Sequence, residues 1–122
     1  MKKILVIEDN ETNMYLIGFI LRKHKYEVIE AKTGEEGIEL ALKERPDLII
    51  MDIQLPGIDG LETTRRIRES EIDGGIPIIA LTSYAMTGDR ERASKAGCNG
   101  YIEKPINPDT IMSEIKKYFL NK

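Results

Sequence analysis

The stretch "LIIMDIQLPGIDG", Leu48 to Gly60, decides how this chain folds. It runs four apolar residues into Asp52 and then breaks at Pro56, Gly57 and Gly60. An apolar run this short, with no polar alternation, reads as a strand covered on both faces, the pattern of a parallel sheet. A carboxylate that closes such a strand stands at the rim of the sheet, where ligands of open α/β folds bind.

Working outward, the same pattern recurs at "ILVI" (Ile4 to Ile7) and "IPIIAL" (Ile76 to Leu81). Two more mixed stretches, "YEVIEA" (Tyr26 to Ala31) and "CNGYIEK" (Cys98 to Lys104), suit edge strands with thinner cover. Helical spacing fills each gap, through Met14, Ile17 and Leu21, then Ile38, Ala41 and Leu42, then Leu61, Thr64 and Ile67. The fourth helix is the weakest: "GDRERASKAG" offers Ala93 and Ala96, with Asp89 as the expected cap and Gly97 as the stop. The fifth has a clear stripe of Ile111, Met112, Ile115, Tyr118 and Phe119. Alternating strands and helices imply right-handed crossovers. The expected fold is α/β: a flavodoxin-like, doubly wound sheet of five parallel strands with five helices. Placing the three most apolar strands centrally gives the order 2-1-3-4-5.

Composition narrows the function. At 122 residues with 41% hydrophobic content, one core fits and two do not, so the expectation is one domain over 1–122 with no output domain. Lys and Arg number 18 against 21 Asp and Glu, and no basic block offers itself to a phosphate backbone, so direct nucleic-acid binding is not expected. Cys98 is alone and cannot form an internal disulfide. Neither a signal peptide nor an apolar run able to span a membrane is read, which gives a cytoplasmic expectation without membrane partners.

The strand ends collect chemistry: Glu8 and Asp9 after the first, Asp52 after the third, Thr82 and Ser83 after the fourth, Lys104 and Pro105 after the fifth. Carboxylates brought this close repel unless they take up protons or a cation neutralises them. Carboxylate oxygens with room for water suit Mg2+, which commonly bridges protein to phosphoryl groups. A carboxylate can attack phosphorus to give an aspartyl phosphate, and a cation, Lys104 and the Thr82 hydroxyl would meet the charge on the transferring group.

Carried by "IEDN" (Ile7 to Asn10), "MDIQLPGIDG" (Met51 to Gly60), "ALTSYAM" (Ala80 to Met86) and "GCNGYIEKPI" (Gly97 to Ile106), the chain resembles the receiver domain of two-component response regulators from end to end. Within that family it is most similar to stand-alone receivers of the DivK type, and to receiver modules of hybrid histidine kinases. The resemblance implies that Asp52 is the phosphoacceptor and that Asp9 ligates Mg2+ directly. It implies that Glu8 ligates through water, and that Asp52 and the carbonyl of Gln54 complete the protein ligands. Lys104 would pair with the phosphoryl group, Thr82 would donate its hydroxyl to it, and Tyr101 would be the aromatic switch. Pro105 matches a cis-proline of the family. The donor would be a histidine kinase or histidine phosphotransfer protein, contacted near Asn13 and Met14. The output would be a downstream protein bound through the helix 4, strand 5 and helix 5 face, with Tyr84 to Met86, Arg90 and Tyr101. Gln54 and Tyr84 would flank the path of attacking water. One mild departure is Glu8, where the family often has Asp.

Rival readings are weaker. A haloacid dehalogenase-like Mg2+ phosphohydrolase needs a second Asp two residues after its nucleophile, and that position is Gln54. A flavin carrier needs a phosphate-cradling loop after the first strand, where this chain has "EDNET". A phosphorylation-independent interaction module would not need Asp9, Asp52, Thr82 and Lys104 together. The protein is thus expected to be a reactant in phosphoryl transfer rather than a turnover enzyme, with at most slow self-dephosphorylation. His24, in the basic run "RKHK", fits a helix terminus better than catalysis. Cys98 is expected in the core, and "TTRRIRES" (Thr63 to Ser70) on a solvated face.

Overall fold

The computed structural model describes residues 1–70, 75–83 and 88–119. Five strands, β1 (Lys3–Ile7), β2 (Glu27–Ala31), β3 (Leu48–Asp52), β4 (Ile78–Thr82) and β5 (Gly100–Glu103), alternate with five helices. These are α1 (Glu11–Lys23), α2 (Gly34–Glu44), α3 (Gly60–Ser70), α4 (Asp89–Ala96) and α5 (Pro108–Phe119). The strands pair in parallel in the order β2-β1-β3-β4-β5, as the burial argument required. Every residue of β3 and β4 is buried, whereas β2 and β5, at the two edges, are covered in part.

Successive side chains of a strand point to opposite faces, and this splits the apolar residues into two cores. Ile4, Val6, Ile50, Ile79 and Leu81 pack with Ile17 and Leu21 of α1 and with Ile111 and Ile115 of α5. Leu5, Ile7, Ile49, Met51 and Ile78 pack with Ala41 of α2 and Ile67 of α3. Each fully buried branched chain stabilises the fold by about 1.5–3 kcal/mol. Neither face of the central strands meets water, which is why their sequences show no polar alternation.

The helices depart from expectation at particular residues. In α2 Ala41 is buried, but Leu42 is 47% exposed and the buried face is completed by Gly34 and Gly37. A Cβ at Gly37 would stand 2.3 Å from Cδ1 of Ile7, so glycine lets α2 lie close on β1 and turns Leu42 outward. In α4 the residue before the helix is Gly88, with φ 101° and no side-chain cap, so Asp89 is the first helical residue and not the cap. Gly97, at φ 119°, does stop that helix. Asn10 caps α1 by accepting from the Asn13 N–H at 2.9 Å. His24 ends the same helix, its Nδ1 2.9 Å from the Ile20 carbonyl oxygen. Thr63, Thr64 and Ile67 of the expected solvated run are buried, while Arg65, Arg66, Glu69 and Ser70 are exposed. Cys98 is half-buried against the second core, and burial pushes its thiol up.

Candidate functional site

Four strand ends build one rim. β1 hands over to Glu8, whose N–H donates to the Ala31 carbonyl at 3.0 Å and which is wholly buried. Asp9 follows, exposed to solvent. Asp52 is the last residue of β3 and is 2% exposed. Carboxylate oxygens of Glu8, Asp9 and Asp52 all lie within 4.8 Å of one another.

The loop after β3 closes around Asp52 through its backbone. The Gln54 N–H donates to Oδ1 of Asp52 at 3.1 Å, and the Gly60 N–H donates to the Ile53 carbonyl at 2.8 Å. A Cβ at Gly60 would stand 2.3 Å from the Asp52 carbonyl oxygen, so the turn can fold back this tightly with glycine there. Gln54 itself is exposed. Sequence reading named Gln54 but missed the part played by Gly60, for which the second glycine of "GIDG" was the available signal.

Lys104 lies just beyond β5, with its side chain 15% exposed. Its Nζ stands 3.2 Å from Oδ2 of Asp52 and 3.2 Å from Oε1 of Glu8. Its backbone N–H donates to the Thr82 carbonyl at 2.7 Å, which ties the ends of β4 and β5 together. Thr82 is buried at the end of β4. The Lys104–Pro105 peptide bond is cis. Tyr101 is half-buried on β5, with the Arg90 guanidinium 4.8 Å over its ring. The rim therefore gathers Glu8, Asp9, Asp52, Gln54, Thr82 and Lys104, while Tyr101 stands earlier on β5 under α4.

The charges do not balance. Three carboxylates face one ammonium. Burial raises Glu8 from an ordinary 4.5 to about 7, with the hydrogen bond and negative charge of Asp52 adding to the rise. Burial pushes Lys104 down, but the charges of Asp52 and Glu8 outweigh it and hold the ammonium above its usual range. Among the described residues, Oε1 of Glu8 is the one buried side-chain oxygen without a hydrogen-bond partner, and it meets the Lys104 ammonium as an ion pair at 3.2 Å. An oxygen left in this way at a buried site needs an explanation such as an ion or water. A hard divalent cation fits: it would supply the missing positive charge, and the ligand atoms are oxygens.

A match to the response regulator receiver domain spans residues 4–116. The chain belongs to this family. The polar-differentiation response regulator DivK of Brucella anthropi is 44% identical over 117 residues, covering 96% of this chain and 95% of DivK. The receiver domain of the sensor histidine kinase PA1611 from Pseudomonas aeruginosa, solved with a magnesium ion coordinated in its active-site cleft, is 38% identical at a TM-score of 0.89. That likeness covers 96% of each chain. The chemotaxis protein CheY4 of Vibrio cholerae is 28% identical at a TM-score of 0.92, over 97% of this chain and 98% of its own. Receiver domains are phosphoacceptor switches that bind Mg2+ at an acidic site, take phosphoryl groups from histidine kinases or phosphotransfer proteins and act on downstream targets. Among the described residues, no helix is long and apolar enough to cross a membrane.

Proposed function

We propose that this chain acts as a stand-alone receiver in which Asp52 accepts a phosphoryl group and binding of a downstream protein is the output. The observation that carries the reading is the buried Asp52 carboxylate beside the unsatisfied oxygen of Glu8, with a charge deficit that a divalent cation would fill. Asp9, Asp52 and the Gln54 carbonyl would hold Mg2+ directly, and Glu8 through water. When bound, Mg2+ supplies positive charge to the phosphoryl oxygens and brings the group to the carboxylates.

In the transfer an Asp52 carboxylate oxygen attacks the phosphorus of a donor phosphohistidine. The new O–P bond forms as the N–P bond breaks, and its electron pair returns to the imidazole. Two anchors hold the nucleophile: the Gln54 N–H on Oδ1 and Lys104 on Oδ2. After transfer Lys104, starting 3.2 Å from Oδ2, would follow the added charge, and the Thr82 hydroxyl would donate to a phosphoryl oxygen. Movement at Thr82 would pass along β4 and β5 to Tyr101 and α4. The downstream protein would read the face of α4, β5 and α5, including Arg90. Tyr84 to Met86, expected on that face and, for Tyr84, beside the path of water, lie outside the described residues.

The donor surface needs one revision. Met14 is buried and cannot meet a donor, and Asn13 is partly buried. The exposed apolar residues of α1 are Tyr15 at 74%, Phe19 at 56% and Leu16 at 37%, the two rings stacked at 6.5 Å. That patch is the better surface for the helices of a histidine kinase or phosphotransfer protein.

Intact mass after incubation with acetyl phosphate tests the reading. A single adduct of about 80 Da is expected with Mg2+. It should be absent after chelation and absent from Asp52→Asn. An adduct that persists in Asp52→Asn would place the acceptor elsewhere.

A further inference from the structure

Away from the rim, α2 and α3 leave between them a groove of about 560 Å3. Its apolar floor is Ile38 and Leu42, the latter 47% exposed, and its edges carry Glu35, Glu39, Glu69 and Arg66. Leu42 is turned out because glycine lets the opposite side of α2 lie flat on the sheet.

The charges around that floor are one-sided. Arg66 is already engaged, its Nε 2.9 Å from Oε2 of Glu62, which also takes Arg65 at 3.2 Å. Among the described residues no cation pairs with Glu35, Glu39 or Glu69. Glu35 and Glu39 stand four apart on one helix, the spacing at which like charges face and repel each other. The first turn of a helix favours Glu35, but Glu39 lies beyond it. An apolar strip with unpaired carboxylates on both sides matches a helix that presents an apolar ridge flanked by lysine and arginine.

We propose that the α2–α3 groove docks a basic amphipathic helix of a partner protein, with an apolar side chain on Ile38 and Leu42 and cations at Glu35, Glu39 and Glu69. This surface is separate from the phosphoryl-transfer rim, and the proposal does not depend on that reading. Loss of the partner's charge or of the Leu42 side chain weakens it, and added salt weakens it further.

The probe is a pair of synthetic helical peptides with the same apolar ridge, one flanked by lysines and arginines and the other by glutamates. Each is titrated into the full chain while backbone amide shifts are followed. The basic peptide should shift amides of α2 and α3, and the acidic one should not bind. Leu42→Ser should weaken binding about ten-fold, and Glu39→Lys by a similar factor. Leu42 is at the surface, and thermal unfolding of both variants checks that they remain folded. Equal affinity for Leu42→Ser, equal binding of the acidic peptide, or shifts centred outside α2 and α3 would overturn the proposal. So would sedimentation that shows the chain alone associating in a way Leu42→Ser abolishes, which would give the groove to a second copy. The acetyl phosphate adduct, measured on Leu42→Ser alongside, should form as in the wild type, so failure of the docking and failure of the acceptor reading are told apart.

Discussion

Helices α4 and α5 both neighbour β5, and they are held in opposite ways. α5 buries Ile111, Met112 and Ile115, rests Phe119 against Tyr26 at 5.6 Å between ring centroids, and donates the Tyr118 hydroxyl to the Asn99 carbonyl at 2.8 Å. Its start is capped by Asn107, whose Oδ1 accepts from the N–H groups of Asp109 and Thr110. α4 buries Ala93 and Ala96, has no side-chain cap at its start, and sets Arg90 over Tyr101. At about 0.8 kcal/mol per buried methylene, two alanines hold a helix far less firmly than three long side chains. On the proposed reading, a helix held so lightly would be the one to shift when a phosphoryl group of about −2 charge is added, while α5 would stay in place.

Substitutions sharpen this contrast. Ile115→Ala should lose about 3 kcal/mol by denaturant unfolding, through lost burial and the cavity left in the first core. If it costs as little as a change in α4, the contrast is wrong.

The rim that would drive α4 should show itself through pH. Glu8 titrates near 4.5 when unfolded and is raised to about 7 by burial, so between those values the folded chain holds a proton that the unfolded chain has released. Its contribution is complete below 4.5 and lost as pH rises through about 7. Without Mg2+, stability should therefore fall by on the order of 3 kcal/mol across that window. Saturating Mg2+ should flatten the fall, and Glu8→Gln should remove it. A curve that stays flat without Mg2+ would mean that Glu8 is not charge-starved.

At the far end of α4, Nε and Nη2 of Arg68 donate to the Gly97 carbonyl at 3.0 and 2.8 Å, and Nη2 also reaches Oδ1 of Asn99 at 2.7 Å. Arg68→Ala should cost about 1.5 kcal/mol and speed amide exchange in α4 more than in α5. Ala93→Gly, the smallest expected effect, should cost about 1 kcal/mol. A loss near that of Ile115→Ala would show that α4 is anchored better than its two alanines suggest.

The sequence carried the sheet well for a physical reason: strands covered on both faces must be apolar throughout, and their parallel order sends their ends to one rim. Glu8, Asp9, Asp52 and Thr82 were legible as a set because each stands at the end of such a run, and Lys104 because it stands at the end of the mixed edge strand beside them. Helix phase was less legible. Met14, Ile17 and Leu21 are buried as their spacing required, but Leu42 was assigned to the wrong side because glycines at 34 and 37 bury backbone rather than side chains, which a count of apolar spacing does not register. The Gly88 start of α4 was missed because a positive-φ glycine can stand where a side-chain cap is usual. Nothing local marked Arg68 and Asn99 as partners, since 31 positions separate them. The burial of Glu8 was likewise invisible, because a residue after a strand reads as solvent-facing until the neighbouring strand ends close over it.

The most direct test of the account follows amide exchange in wild-type chain and Asp52→Asn, each with Mg2+, before and after acetyl phosphate. The account predicts that exchange changes in α4 and β5 of the wild type while α5 keeps its protection, and that Asp52→Asn shows no change. Phosphorylated wild type with α4 unaltered, or with α4 and α5 altered alike, would contradict it.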